Sequence, residues 1–344
     1  MIPALQGFLP DELAALCRDL GFPAFRAKQL FHWLHVSRAM SWAEMTNLPK
    51  AFAAAFETVA SPSPLAALER SDDSSSGTSK WLLRLLDGET VESVLIPAAD
   101  RATVCVSSQV GCKMGCAFCA SGKSGFVRNL SAGEIVAQVL FIANEIGRRP
   151  DNVVFMGMGE PLDNYDNVLK AVRLLNHPDG LAIGARRITL STSGIVPGIR
   201  RLATEGLQFE LSVSLHAPTS DLRRTLMPVE NRWPVPELLA ACRDYFAATK
   251  RLITFEYTLV SGLNDTPDHA RRLAALLSAF PCRVNLIPLS PIPEFPHPRP
   301  TRERCMDFLR LLRARGIEGT LRDSKGRSVN AACGQLRRRT LPPA

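Results

Sequence analysis

The chain has 344 residues, 46% hydrophobic and 22% charged, with 41 Lys and Arg against 33 Asp and Glu for a formal net charge of +8. That length exceeds one small domain and fits a barrel-sized domain plus an accessory module. No apolar run approaches the ~18 residues of a membrane span, and the N-terminal MIPALQGFLPDELAAL lacks the charged and apolar regions of a secretory signal. The nine cysteines are odd in number, with three crowded together, which speaks against a secreted disulfide framework and for a cytoplasmic metal or catalytic site. The positive charge points to a polyanionic partner, nucleic acid first, with simple solubility as the plain alternative.

In chain order, residues 1–70 read as a small helical accessory domain. Asp11 and Glu12 precede the apolar run of ELAALCRDLG, and FRAKQLFHWLH has apolar residues at helical spacing. Arg26, Lys28, Arg38 and Lys50 interleave with Phe31 and Trp33, so these helices either pack on the main domain or contact RNA. Residues 71–100 read as a linker and β-hairpin: SDDSSSGTS is a polar loop, and KWLLRLL and ETVESVLIP are strands joined at Asp87-Gly88. Glu92 shares a strand face with Val94 and Ile96 by the period-2 rule. From the residues alone an edge position facing solvent is favoured for it; in a pocket it would suit proton transfer.

From residue 101 to 325 strand-like and helix-like segments alternate. ATVCVSS, NVVFMG, RRITLST, FELSVSL, LITFEYTLV and CRVNLIPL are each followed by a helix, and a closing strand lies near IEGTLR. Ser131 and Glu134 form a capping-box signature ahead of the first long helix of this run. Six strand–helix units and a closing strand indicate an α/β partial (β/α)6 TIM-like barrel. A doubly wound open sheet is the alternative, although no G-x-G-x-x-G follows any strand. Residues 326–344 form a C-terminal segment. In the barrel reading the cysteine loop, GMGEP, STSG, SLH and PLSP all follow strands and gather on one face, where active sites of such barrels lie.

Cys112, Cys116 and Cys119 form a C-x3-C-x2-C run within GCKMGCAFCASG. Three thiolates suit an iron–sulfur cluster with one iron left open; a structural zinc would need a fourth ligand, from His216 or a remote cysteine, and free thiols are the third possibility. After the first barrel strand this run resembles the signature of the radical S-adenosylmethionine superfamily, with Phe118 at its usual aromatic position and Gly157-Met158-Gly159-Glu160-Pro161 in place of its GGEP-like turn. VESVLIP, CVSSQVGC, GFVRNLS, VVFMGMGEPL, RRITLSTSG, SLHAP, LMPVENRWP and NAACGQL narrow the resemblance to the RlmN/Cfr family of radical SAM RNA methyltransferases. RAKQLFHWL and MTNLPK resemble that family's N-terminal domain, so the similarity spans nearly the whole chain.

The resemblance implies a [4Fe-4S] cluster on Cys112, Cys116 and Cys119 whose fourth iron binds S-adenosylmethionine (SAM). It implies SAM contacts from Gly159, Glu160, Ser191, Ser214, Leu215, His216 and Ser290, the last standing where the family usually has Asn. Cys333 matches the methyl-carrying cysteine, Cys105 the second functional cysteine and Glu92 the proton acceptor; for Glu92 this overtakes the edge reading. Two SAM are implied per turnover. One methylates Cys333, and the other yields the radical that activates that methyl group for addition to adenine C2. Glu92 then takes the ring proton, and attack by Cys105 on the Cys333 sulfur closes a disulfide and frees the RNA. The remaining cysteines, Cys17, Cys242, Cys282 and Cys305, read as buried apolar residues. The implied partners are 23S rRNA, tRNA and a flavodoxin- or ferredoxin-type electron donor, acting on a monomer without membrane association. GMGEPL, STSG and SSQVGC resemble the RlmN branch, which methylates C2; C8 methylation as in the Cfr branch is the alternative within the class, and a zinc-stabilised RNA-binding module without catalysis the alternative outside it. Arg186-Arg187, Arg200-Arg201, Arg223-Arg224 and Arg337-Arg338-Arg339 are candidate phosphate contacts, most of them expected to be ordinary solvated faces.

Overall fold

A computed structural model describes residues 2–279, 281–322 and 324–339. Phe280, at the end of an expected helix, Asp323 and the last five residues of the expected C-terminal segment lie outside the described residues. The accessory region holds α1 (Pro10–Asp19), α2 (Phe25–His35) and α3 (Lys50–Glu57). Their apolar faces join the main core through Leu13, Leu30, Phe31, Phe52 and Phe56. Gly7 packs so closely on Gly133 that an added Cβ would stand 2.7 Å from its nitrogen, and Lys170 pairs with Glu12 at 2.8 Å. Of the accessory cations, Arg26 donates to Gln29 Oε1 and the Asn47 carbonyl, and Arg38 to the Ala143 carbonyl. Packing on the barrel therefore occupies much of this region.

The hairpin expected at residues 80–97 is part of a three-stranded antiparallel unit: β1 (Leu65–Asp73), β2 (Thr78–Leu85) and β3 (Thr90–Pro97). SDDSSSGTS is thus not a linker. Its first residues end β1, its last begin β2, and Asp73 organises the turn by accepting from Ser75 and Ser76. The strand β1 hides from periodicity because its middle is exposed, with no alternation to read.

β3 pairs antiparallel with β4 (Ala102–Cys105), and β4 opens the parallel run. That run continues through β7 (Asn152–Phe155), β8 (Ile188–Thr192), β9 (Glu210–Ser214), β10 (Ile253–Leu259), β11 (Cys282–Pro288) and β12 (Glu318–Leu321), giving one ten-stranded sheet in the order β1-β2-β3-β4-β7-β8-β9-β10-β11-β12. Between β4 and β7 lie β5 (Gln109–Gly111) and β6 (Phe126–Asn129), a small antiparallel clasp, with the short helix α4 (Ala120–Lys123) inside it. The crossovers are α5 (Ala132–Glu145), α6 (Tyr165–Asn176), α7 (Val196–Leu202), α8 (Ser220–Leu226) with α9 (Val235–Thr249), α10 (Pro267–Leu277) and α11 (Arg302–Arg313). The expected capping box is present at α5, where Ser131 and Glu134 cap each other.

Register fixes which face does chemistry. Val104, Val153, Phe155, Leu190, Leu211, Val213, Phe255, Tyr257, Val284 and Leu286 belong to the core beneath the helices. The opposite face is polar: Cys105 pairs with Val154, Ser191 with Ser212, Ser214 with Glu256, Glu256 with Asn285 and Asn285 with Thr320. Directly paired residues share a face, so these side chains line the concave interior.

Candidate active site

The cysteine loop is shaped by the clasp around it. Gly111 has φ 77°, and a Cβ there would meet the Gly125 carbonyl oxygen at 1.7 Å, so only glycine lets β5 turn into the loop. The Cys112 amide donates to that same carbonyl at 3.0 Å, and the Ala117 amide to the Leu226 carbonyl at 2.8 Å. Leu226, Met227 and Val229 form a small apolar cluster on which Met114, Cys116 and Phe118 rest.

The GMGEP turn closes over the segment following β4. The Ser108 and Gln109 amides donate to the Met158 carbonyl at 2.8 and 3.2 Å, and Gln109 Oε1 accepts from the Glu160 amide at 2.9 Å. Gly159 has φ 100° and lies where a Cβ would be 2.7 Å from the Gln109 nitrogen. Glu160 is buried, its two carboxylate oxygens accepting from the Leu162 and Ser193 amides at 3.0 and 2.7 Å. Burial raises its pKa, opposed by those two amides.

Arg223 organises the far wall. It is fully buried and forms an ion pair with Glu230 at 2.7 Å. Its guanidinium also donates to the carbonyls of Ser193, Ser214 and Leu215 at 2.6, 3.1 and 3.2 Å, tying the ends of β8 and β9 together. The expectation that Arg223 is a phosphate contact or a solvated residue is therefore wrong, because every guanidinium direction is spent inside the protein. Arg201 pairs with Asp166, and Arg337, Arg338 and Arg339 pair with Glu294, Glu89 and Glu69. Arg338 and Arg339 strap the tail to the antiparallel unit, and Arg337 ties it to the loop after β11.

One cavity is lined by Cys112, Cys116, Cys119, Gly159, Glu160, Ser191, Ser214, His216, Ser290 and Cys333. Of the expected SAM contacts only Leu215 is absent from the lining; its side chain is fully buried. His216 has φ 56° and its Nδ1 accepts from the Thr258 amide at 2.9 Å, which puts the proton of the neutral ring on Nε2. Burial first, and Arg223 second, push its pKa down to about 3. Phe118 packs edge-on against it, 4.9 Å between ring centres.

The lining fits a cluster with SAM. The Ser290 Oγ is buried without a hydrogen-bond partner among the described residues, as a polar group awaiting a polar ligand would be. Burial pushes the Cys112 thiol up to about 12 and Cys116 well above its ordinary value, with the neighbouring cysteines pushing the same way. A bound cation is what would hold such thiols ionised together. Soft thiolates spread around a loop suit the corners of an iron–sulfur cluster.

The family follows from comparison. Residues 106–276 match the Radical SAM superfamily and residues 4–61 the ribosomal RNA large subunit methyltransferase N-terminal domain. A relative from Symbiobacterium thermophilum, named "Probable dual-specificity RNA methyltransferase RlmN", is 51% identical over 97% of this chain and 91% of its own length. One of the same name from Gloeobacter violaceus is 49% identical, over 99% and 97%. The chain belongs to the RlmN family of radical SAM RNA methyltransferases. The crystal structure of a radical SAM methyltransferase from Sphaerobacter thermophilus superposes on it with TM-score 0.94 at 48% identity, covering 97% of this chain and 99% of that one. The radical SAM fold and the helical N-terminal region are thereby established, and the protein is an enzyme that methylates RNA. No helix among the described residues is long and apolar enough to cross a membrane.

Within this RlmN-family site, Cys333 and Cys105 are close enough that the charge of Cys333 raises the Cys105 pKa, to about 12 with burial as the larger cause. All nine cysteines are free thiols, so the disulfide of the expected cycle is not formed here. Cys17, Cys242, Cys282 and Cys305 are buried, as expected. Glu92 is on an interior strand, which overturns the edge reading, yet it lines neither the cavity above nor the neighbouring one that holds Cys105. Lys80 Nζ lies 2.9 Å from its Oε1 as an ion pair, and the Arg337 amide donates to its Oε2 at 2.9 Å. Lys80 also donates to the Asn330 carbonyl at 3.2 Å. The buried pair thus grips the C-terminal segment on both sides of Cys333. Glu256, Asn285 and Arg322 join the site without having been expected there. The signal for Glu256 and Asn285 is the polar residue at every second position of FELSVS and ITFEYTL and at Arg283 and Asn285 of CRVNLIP, which marks a polar concave face; Arg322 lies outside these stretches.

Proposed function

We propose that this enzyme methylates C2 of an adenosine in 23S rRNA and of the adenosine after the anticodon in tRNA, with Cys333 as an obligatory methyl carrier. The observation that carries the reading is the place of Cys333, which lines the cavity of the three clustered cysteines and also the neighbouring cavity that holds Cys105. A carrier between donor and acceptor has to face both. Cys112, Cys116 and Cys119 would hold the [4Fe-4S] cluster, and Gly159, Glu160, Ser191, Ser214, His216 and Ser290 would hold SAM. The chemistry a bound cluster supplies there is one-electron cleavage of SAM, with a flavodoxin- or ferredoxin-type protein as electron source.

The Cys333 thiolate attacks the sulfonium methyl of one SAM, and a second SAM is consumed in activating the resulting S-methyl group. Adenine C2 is electron-poor and offers no lone pair for direct methyl transfer, which is why a carrier is needed. Once RNA is joined to Cys333 through the methylene carbon, and the adduct has returned one electron to the electron-transfer partner and lost its C2 proton, the Cys105 thiolate attacks the Cys333 sulfur; a disulfide forms, and the S–C bond breaks with its electron pair going to the methylene carbon, which takes up a proton to become the methyl group. Glu92 is the proposed acceptor of the ring proton. Because the Arg337 backbone covers it, that role needs residues 336–339 to lift. The enzyme acts as a monomer in this reading.

The test is anaerobic reconstitution followed by assay with SAM, reductant and either RNA. Cys105→Ala should accumulate a covalent protein–RNA adduct, and Cys333→Ala should neither form it nor methylate. Normal turnover by Cys333→Ala would end the carrier reading. 8-Methyladenosine in place of 2-methyladenosine would move the chain to C8 chemistry, and colourless protein with one zinc would support a non-catalytic module.

A further inference from the structure

The peptide unit joining Leu336 to Arg337 is held from both sides. The Leu336 carbonyl accepts from Ser121 Oγ at 2.6 Å, and the Arg337 amide donates to Glu92 Oε2 at 2.9 Å. The unit is planar and trans, so its C=O and N–H point in opposite directions and the two partners stand on opposite sides of the chain. Ser121 is buried, on α4, two residues after Cys119. The same helix also holds the segment at the Ala120 amide, which donates to the Gly334 carbonyl at 2.7 Å. Gly334 has φ 84°, and a Cβ there would stand 3.1 Å from the Phe118 carbonyl oxygen, so the residue after Cys333 rests directly on the cysteine loop. Cys333 sits in a turn that Gln335 closes, its amide donating to the Ala332 carbonyl at 3.0 Å and its Oε1 accepting from the Ala332 amide at 3.2 Å. The carrier turn is therefore seated on the helix that leaves the third clustered cysteine. Its last bond on that side shares one rigid peptide with the cover over Glu92.

A planar unit cannot rotate at one end alone. Swinging the Arg337 N–H off Glu92 swings the Leu336 carbonyl off Ser121. We propose that Ser121 is a positioning residue for methyl transfer, and that the Leu336–Arg337 peptide is the latch through which it acts. Latched, the Cys333 turn is seated on α4 and Glu92 is covered, the arrangement for loading the methyl group from SAM. Unlatched, residues 336–339 leave Glu92 open to take the ring proton, and the carrier turn is loosened from α4 in the same motion. The two steps are kept apart because each needs a different state of one peptide. The proposal rests on the reading of Cys333 as the methyl carrier and Glu92 as the proton acceptor. Ser121 touches neither SAM nor RNA in it and acts on Cys333 through the backbone.

The test is hydrogen–deuterium exchange, resolved to single amides, in reconstituted protein. Ser121→Ala removes the bond to the Leu336 carbonyl and leaves Glu92 and Lys80 in place. A buried hydrogen bond of this kind holds back an opening by roughly fivefold to tenfold. The Arg337 amide, which Ser121 does not touch, should therefore exchange faster by that factor. Ser121→Thr keeps the hydroxyl and should exchange within about twofold of wild type. The Thr258 amide, bonded to His216, serves as the control and should not change. In the covalent RNA adduct of Cys105→Ala the latch is open, so the Arg337 amide should exchange fast whether residue 121 is Ser or Ala. Arg337 exchange that is unchanged in Ser121→Ala, accelerated equally by the Ala and Thr substitutions, or still slow in the adduct would overturn the latch while leaving methyl carriage by Cys333 untouched. Absence of any adduct with Cys105→Ala, alongside the expected acceleration in Ser121→Ala, would overturn the carrier reading and leave the latch standing.

Discussion

The Lys80–Glu92 pair allows a sharp test of how the C-terminal segment is held. Both side chains are almost fully buried, at 4% and 1% exposure, and each also grips that segment, Lys80 at the Asn330 carbonyl and Glu92 at the Arg337 amide. Lys80→Met removes one charge and leaves Glu92 facing only the more distant Arg339, at 3.8 Å. Breaking a buried pair from one side costs about 3–5 kcal/mol, much of it the desolvated charge left behind. The lost hydrogen bond to Asn330 overlaps with that figure and does not add to it in full. The cheapest relief is to let residues 330–339 undock so that Glu92 meets water. The cost should then show as local opening, favoured by roughly two to three powers of ten at 1.4 kcal/mol per decade. Hydrogen–deuterium exchange of the Arg337 and Arg339 amides should accelerate by that factor, since both are bonded to the antiparallel unit, at Glu92 and at Thr90 Oγ1. The melting temperature should move much less. Lys80→Met/Glu92→Gln removes both charges and should recover most of the protection. Unchanged exchange at residues 337–339 together with unchanged melting in Lys80→Met would refute the reasoning.

Three further outcomes follow from the same geometry. Arg223→Met strands Glu230 and three carbonyls in a fully buried setting; it should lose about 3–5 kcal/mol, melt several degrees lower and bind SAM more weakly, and wild-type melting would contradict its role as the clasp between β8 and β9. His35 is buried against Phe31 with neither ring nitrogen hydrogen-bonded among the described residues, and burial pushes its pKa down to about 3. Its unfolded form binds the proton first, so stability present above pH 6.5 should drain away as pH falls toward 3. The loss between pH 7 and pH 5 should be about 2 kcal/mol by urea titration, and His35→Phe should flatten that slope. Reconstituted protein should hold about four irons with broad absorption near ~400 nm, and Cys116→Ala should lose both; full iron retention in that variant would exclude Cys116 as a ligand.

Legibility follows the range of the interactions. The seven strands of the parallel run and their crossovers can be read from sequence because each buries a continuous apolar face, and the loops after β4, β7, β8, β9 and β11 do meet at one cavity. The β5–β6 clasp escapes because strands of three and four residues carry too little pattern. β1 reads as the end of the helical region and a loop because sheet pairing, not burial, holds it. Arg223 looks like half of a surface Arg-Arg pair, since nothing local says that one of two adjacent arginines points into the core.

What the sequence determined by itself is residue type and spacing: three cysteines crowded into one loop, a further cysteine ending β4 and another near the C-terminus, and turns whose glycines permit close backbone approach. These are local properties. Tertiary structure alone decided how the parts are divided. It placed Cys333 on the wall between two cavities and sank Glu92 beneath the tail with Lys80. Those arrangements join residues more than two hundred positions apart. They arise from sheet register and from the pairing of charges driven out of water, which no local pattern encodes.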